Sequence, residues 1–178
     1  LLVSMLVLAP LGTAMTTKIV ADRYLGRPVS LADAFATGLK LIAPLLLAVL
    51  VSTVLTGIGL LLLIIPGVYV ALKFTLVAPA IVVEQRGARA GLDRSWSLTQ
   101  GALGKLILLI LVAAITNGIF QGVMFTTFGM GFLPDAIVQI FAAVVGCYFS
   151  VAITVTYFER RCEKEGFDMQ LLAQSFEG

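Results

Sequence analysis

Residues Leu41 to Val83 form an apolar run of 43 residues interrupted by a single charge, Lys73. A helix crosses the hydrocarbon core of a bilayer in about 20 residues. The run is therefore two spans. Pro66-Gly67 is its strongest turn signal and predicts a second span over Leu39–Ile65 and a third over Pro66–Val83. The third is short and holds Pro79, so a kink or unwound turn is expected near its far end. Composition agrees: sixty per cent of the 178 residues are apolar and twelve per cent charged. A soluble domain of this size has too little interior to hide that much apolar surface.

The remaining segments follow in the same way. Leu1 to about Val20 reads as a first span; its apolar run Leu1–Ala14 has the length of a signal-peptide core, but no basic flank precedes it and the first cation, Lys18, follows it. That predicts a chain that starts inside a helix, with upstream sequence missing. Ser30 with Asp33 three residues later resembles a capping box, opening a short helix Leu31–Lys40 whose stripe Leu31, Phe35, Leu39 belongs in the membrane interface. Glu84 to Lys105 is a polar interval with Gly87 and Gly91 as loose points. Within it Ala88 to Thr99 reads as a second interfacial helix, with the stripe Ala88, Leu92, Trp96 and an i, i+4 pair Arg89–Asp93. A fourth span covers Lys105–Thr127 and a fifth Leu133–Phe158, joined by the loop Phe128–Asp135, where Phe125, Phe128 and Phe132 form an outer aromatic belt. The tail from Glu159 is charged; Gly166 breaks it, and Asp168 caps a last helix carrying Met169, Leu171 and Leu172.

The fold class is thus all-α: a polytopic transmembrane helical bundle of one domain over residues 1–178, with about five spans, about six in a full protein, and short interfacial helices. The connectors at 18–40, 84–105 and 159–178 hold four, four and three Lys/Arg, and the opposite side holds none. By the positive-inside rule that face, and the C-terminus, is cytoplasmic. Residues 30–83 and 88–158 share the order interfacial helix, span, span, which suggests a repeat about an axis along the membrane normal.

Several residue sets stand out. Lys73 lies about 10 Å from the outer end of its helix, with Gln121 and Gln139 at similar depth and Asn117 deeper. Polar groups at membrane depth often mark a path or binding site, so one reading is an outer polar pocket where Lys73 meets an anionic headgroup. The other is that Lys73 snorkels toward the headgroups or Asp135 while the amides make structural hydrogen bonds. Arg86, Arg89, Arg94 and Lys105 are candidate anionic-lipid contacts, or set topology alone. Small residues recur at Ala114, Gly118 and Gly122 and at Ala142, Gly146, Ser150 and Thr154. They predict close packing of the fourth span on the fifth, with dimerisation as the alternative.

The chain has no histidine. Its two cysteines, Cys147 and Cys162, are about 20 Å apart along one helix, too far for a disulfide and too few for a metal site. No cofactor or metal is expected. There is no G-x-S-x-G, no P-loop and no paired carboxylates at membrane depth. The basic residues form no stripe for nucleic acid. Membrane lipids, a protein partner or a second copy are the expected partners.

The ordered set ADRYLGRPVS, LLLIIPGVYVALKFTLVAPAIVVE, LDRSWSLTQG and EKEGFDMQLL resembles the bacterial membrane domain of the glycerophosphoryl diester phosphodiesterase family, from about Met15 to Leu172. The resemblance implies an all-helical integral membrane domain of about six spans. The soluble enzyme domain carried by some members needs metal-binding carboxylates and catalytic histidines, so that activity does not carry over. Where members often have an Arg-rich version of the RSW helix, this chain has Asp93 and Gln100. The functional expectation is a non-catalytic membrane anchor or scaffold for a lipid-related partner. The alternative is a lipid- or solute-binding or transport protein built around Lys73.

Overall fold

The computed structural model describes residues 8–129 and 131–166. Among these all regular structure is helical: α1 (Ala9–Tyr24), α2 (Leu31–Lys40), α3 (Ile42–Leu62), α4 (Ile64–Lys73), α5 (Val77–Glu84), α6 (Ala88–Leu98), α7 (Leu103–Phe128) and α8 (Phe132–Glu165). Four helical stretches are long and apolar enough to cross a membrane: Ile42–Leu62, Ile64–Glu84 (α4 and α5 as one span), Leu103–Phe128 and Phe132–Glu165. The described part of the first apolar segment, α1, has 16 residues. The expected cap at Ser30 is present, with its hydroxyl accepting from the Asp33 amide at 3.3 Å. The last-helix expectation at Asp168, Met169, Leu171 and Leu172 lies outside the described residues.

Proline sets the register of the helix starts. The residues that precede α3, α4, α5 and α8 are Leu41, Leu63, Leu76 and Gly131. Each stands three positions before a proline: Pro44, Pro66, Pro79 and Pro134. Proline lacks an N–H, and its ring excludes the carbonyl four residues back. It is tolerated in a first turn, where no intrahelical partner is needed, so the preceding helix stops and a new one begins. The turn between the second and third spans is therefore at Leu63, and Pro66-Gly67 lies inside α4, not at the turn. The unwound turn expected near Pro79 is present at Phe74–Leu76. Gly59 and Gly67 make the α3–α4 hairpin possible: a Cβ on Gly67 would lie 2.5 Å from the Leu60 backbone nitrogen, and one on Gly59 2.8 Å from Gly67 Cα.

The molecule is apolar outside and partly polar inside. Leu61, Ile65, Phe132 and Leu133 are each more than 70 % exposed, whereas Thr17, Asp22, Lys73, Ser95, Thr99, Thr154 and Thr156 are buried. In lipid an apolar exterior costs nothing, and helices associate through packing and polar contacts. Both cores sit toward the end that carries the charged connectors. One gathers Leu72, Leu76, Leu98, Leu106, Ile153, Tyr157 and Phe158; the other gathers Leu41, Leu45, Val77, Ile81 and Val82. At the opposite end Phe125, Phe128 and Phe132 are exposed, as a belt requires.

Two packing expectations are corrected. Ala114, Gly118 and Gly122 are exposed, and a Cβ on Gly118, Gly122 or Gly146 would meet nothing within 4 Å. The α7 and α8 backbones do not approach there; the helices meet through the stacked rings of Phe120 and Phe141, 3.8 Å apart. The stripe Ala142, Gly146, Ser150 instead faces α1 across a groove also lined by Ala9, Gly12, Thr13 and Thr16, and Thr154 reaches Thr17 at 3.4 Å. The fourth and fifth spans thus do pack on each other, as expected, but not through these small residues. Gly91 is also not a loose point. It is buried, and a Cβ there would lie 2.3 Å from Ile81 Cγ1, so α6 seats directly on α5.

Candidate functional site

The charged end is organised around α6. Of the stripe Ala88, Leu92, Trp96 expected in the membrane interface, Ala88 is buried and Leu92 packs beside the second core, while Trp96 stays exposed. α6 is docked beneath α3, α5 and α8, while the corresponding stripe of α2 (Leu31, Phe35, Leu39) is exposed as expected.

The unwound turn after α4 creates the need that α6 meets. The Val77 amide bonds to the Phe74 carbonyl at 3.2 Å, three residues back, not to that of Lys73. The freed Lys73 carbonyl accepts from the buried Ser95 hydroxyl at 2.6 Å. A buried carbonyl without a donor is costly, so Ser95 of the RSW segment ties α6 to the break. The Lys73 side chain is 1 % exposed. Its ammonium stands over the Tyr69 ring at 5.3 Å and the Trp96 ring at 5.4 Å, within cation–π range.

On the neighbouring face an ionic network joins α5, α6 and α8. Glu84 is almost buried and accepts from Arg94 Nε at 2.6 Å, from the Tyr157 hydroxyl at 2.7 Å and, more loosely, from Arg86 at 3.2 Å. Arg94 also donates to Glu165 at 2.6 Å, and Arg161 reaches the same carboxylate at 3.3 Å. The hydrogen bond to Glu165, then that to Glu84, raises the Arg94 pKa despite partial burial. α8 is about 51 Å long, far more than a bilayer core, and its last turns, from Glu159 to Glu165, carry six charges beyond its apolar part. There the hydrogen bond from Arg94 holds Glu165 below its ordinary pKa, against the opposing effect of burial. Val83, Glu84, Arg86, Arg94, Arg161 and Glu165 line a polar cleft of about 380 Å³.

The candidate polar pocket does not assemble. Lys73 lies against Trp96 at the charged end, Asn117 returns its amide to the Ala113 carbonyl of its own helix at 2.9 Å, and Gln121 and Gln139 are exposed. The break after Lys73 and the docking of α6 place Trp96, not the amides, beside its ammonium. Lys73 also does not snorkel toward Asp135. Among the candidate lipid contacts, Arg94 is engaged by two carboxylates and Lys105 by Glu159. Arg89 is exposed, and the expected Arg89–Asp93 pair is not formed, both side chains being exposed. The residues that sequence reasoning missed are Tyr69, Glu84, Ser95, Tyr157 and Glu165. Glu84 carried a usable signal, as the first acid after 43 apolar or near-apolar residues. The described residues hold no cluster of metal-ligating side chains.

A profile described as Domain of unknown function (DUF7847) matches residues 2–160. No curated protein and no solved structure matches. Nothing in these matches links the chain to glycerophosphoryl diester phosphodiesterase.

Proposed function

We propose, from the premise that this chain belongs to the family of the domain of unknown function DUF7847, that it is a non-catalytic membrane module that anchors a partner of lipid metabolism. It would lie in a bacterial cytoplasmic membrane with its charged end and C-terminus cytoplasmic. The observation that carries this is how the polar side chains of the apolar helices are spent. Thr13 and Thr16 on α1, Ser52 and Thr53 on α3, Asn117 and Thr126 on α7 and Thr154 on α8 each donate to the carbonyl four residues back on their own helix. Groups satisfied in this way offer little to a passing solute. Polar structure is gathered instead at the charged end, where α6 and the end of α8 form a cross-braced platform that presents Arg86 and Arg89.

Two experiments test this. Purified protein in sealed vesicles is expected to move neither lipid nor small anions faster than empty vesicles. In native membranes, a photo-crosslinking residue at Arg89 is expected to trap one protein of defined mass, and one at Gln139 only lipid. Measurable flux, or lipid alone at both positions, would overturn the anchoring reading. Orientation is checked separately with Ser97→Cys, which is exposed on α6; labelling by an impermeant reagent in intact cells would reverse the assigned topology.

A further inference from the structure

Three cations converge on the last turn of α6. Lys164 donates to the Ser97 carbonyl, Arg160 Nη2 donates to the Gln100 carbonyl at 2.9 Å, and the Lys73 ammonium lies over Trp96. The carbonyl end of a helix attracts positive charge, which accounts for the gathering but not for its excess. Arg160 pairs with Glu163. Neither Lys73 nor Lys164 has a carboxylate partner among the described residues. The Arg160 Nε is buried and donates to nothing. Lys73 is the decisive group. The Lys73 residue is 1 % exposed, and the two ring faces beside its ammonium give a cation–π attraction but no counter-charge and no hydrogen-bond acceptor. The three cations also act on one another: after burial, Arg160 and Lys73 each lower the Lys164 pKa. Tyr69 and Trp96, the walls beside the ammonium, are 43 % and 38 % exposed, so ring faces, not packed core, separate it from the surroundings.

We propose that the last turn of α6, with Lys73, Arg160 and Lys164 around it, binds a phosphate group, carried by an anionic phospholipid of the adjoining leaflet or by a soluble phosphate. Three separate donors approaching from α4 and α8 suit a tetrahedral anion with several acceptor oxygens better than a flat carboxylate. Trp96 sets the level, since tryptophan on an interfacial helix lies at the headgroups, where lipid phosphates are. The site is distinct from the Glu84–Arg94–Glu165 network, in which every cation is paired with a carboxylate. It is also independent of the anchoring reading, because it is measured as a binding equilibrium and not as flux or a protein crosslink.

Trp96 is the chain's only tryptophan, so its fluorescence reports the site directly. The protein is placed in phosphatidylcholine nanodiscs and titrated in two arms, with increasing phosphatidylglycerol in the disc and with inorganic phosphate in solution. A saturable change of Trp96 emission is expected. A change in the first arm alone identifies a lipid; a change of equal size in the second identifies a soluble phosphate. Lys73→Met, close to the native volume, is expected to weaken the midpoint at least tenfold, and Lys164→Gln at least threefold. Arg27→Gln, an exposed cation outside the site, is expected to titrate as the wild type. No saturable change in either arm would overturn the proposal. So would Lys73→Met and Lys164→Gln titrating like Arg27→Gln, because generic surface attraction would then suffice.

Discussion

The carbonyl of Lys73 depends on a hydroxyl 22 residues further along the chain. Ser95→Ala removes that donor and leaves a buried acceptor unpaired, at a cost of about 1–3 kcal/mol. The expected outcome is a clear fall in the thermal midpoint of the detergent-solubilised protein. Glycine gives a second residue-scale expectation. Gly67→Ala forces a Cβ to 2.5 Å from the Leu60 backbone, an overpacking worth about 1–3 kcal/mol. Gly118→Ala meets open space inside α7 and should raise the midpoint slightly, because alanine loses less backbone entropy in a helix. Equal effects at the two positions would contradict the packing described. The Pro66-Gly67 signal was legible as punctuation. That Gly67 must be small because Leu60 and Gly59 press on it was not, since that contact exists only once the hairpin closes.

At the scale of the element, proline does most of the dividing. Pro44, Pro66, Pro79 and Pro134 each lie in the first turn of a helix that begins after a break three residues upstream. Placing a break at the proline itself shifts a boundary by one turn and moves side chains to the wrong end of a connector. Pro79 and Ser95 should also be energetically coupled. Pro79→Ala restores an N–H for the Thr75 carbonyl and lets α4 run into α5, which returns the Lys73 carbonyl to an intrahelical partner. Ser95→Ala is therefore expected to cost less in the Pro79→Ala background, with a coupling of about 0.5–3 kcal/mol. A double-mutant cycle on thermal or denaturant stability measures it, and strict additivity would count against the break as the reason for the Ser95 contact. Apolar periodicity showed that α6 was a helix with one apolar stripe. It did not show that α6 seats its Ala88, Gly91, Ser95 and Leu98 side on protein and leaves Trp96 exposed at the edge, whereas the stripe of α2 is exposed throughout, because Leu92 and Trp96 serve either environment.

At the scale of the molecule, cohesion is concentrated at the charged end and should depend on pH. Glu165 has a folded pKa below its ordinary value. A depressed carboxylate contributes stability that is fully present above its unfolded pKa, about 4.3, and is lost as pH falls through the folded one. Stability is thus expected to hold from pH 7 to about 5 and to drop below that. Glu165→Gln should start from a lower midpoint and show a shallower acid slope. An identical slope in both proteins would exclude the Arg94–Glu165 contact as its origin. The four apolar stretches from Ile42 to Glu165 that are long enough to cross a membrane, and the end that collects the charges, were readable from the chain, because the transfer cost of a residue into lipid is local and sums along a segment. The expected first span, of which α1 (Ala9–Tyr24) is the described part, is not among the four. Which faces meet was decided only in three dimensions. Lys73 shows why: Tyr69 is its i−4 neighbour on α4, legible in the spacing, but Trp96 stands beside it only because the helix breaks after Lys73 and α6 docks there. In lipid an apolar face gains nothing by choosing protein over acyl chain, so hydrophobicity carries no record of that choice. Steric fit and hydrogen bonding between distant segments make it.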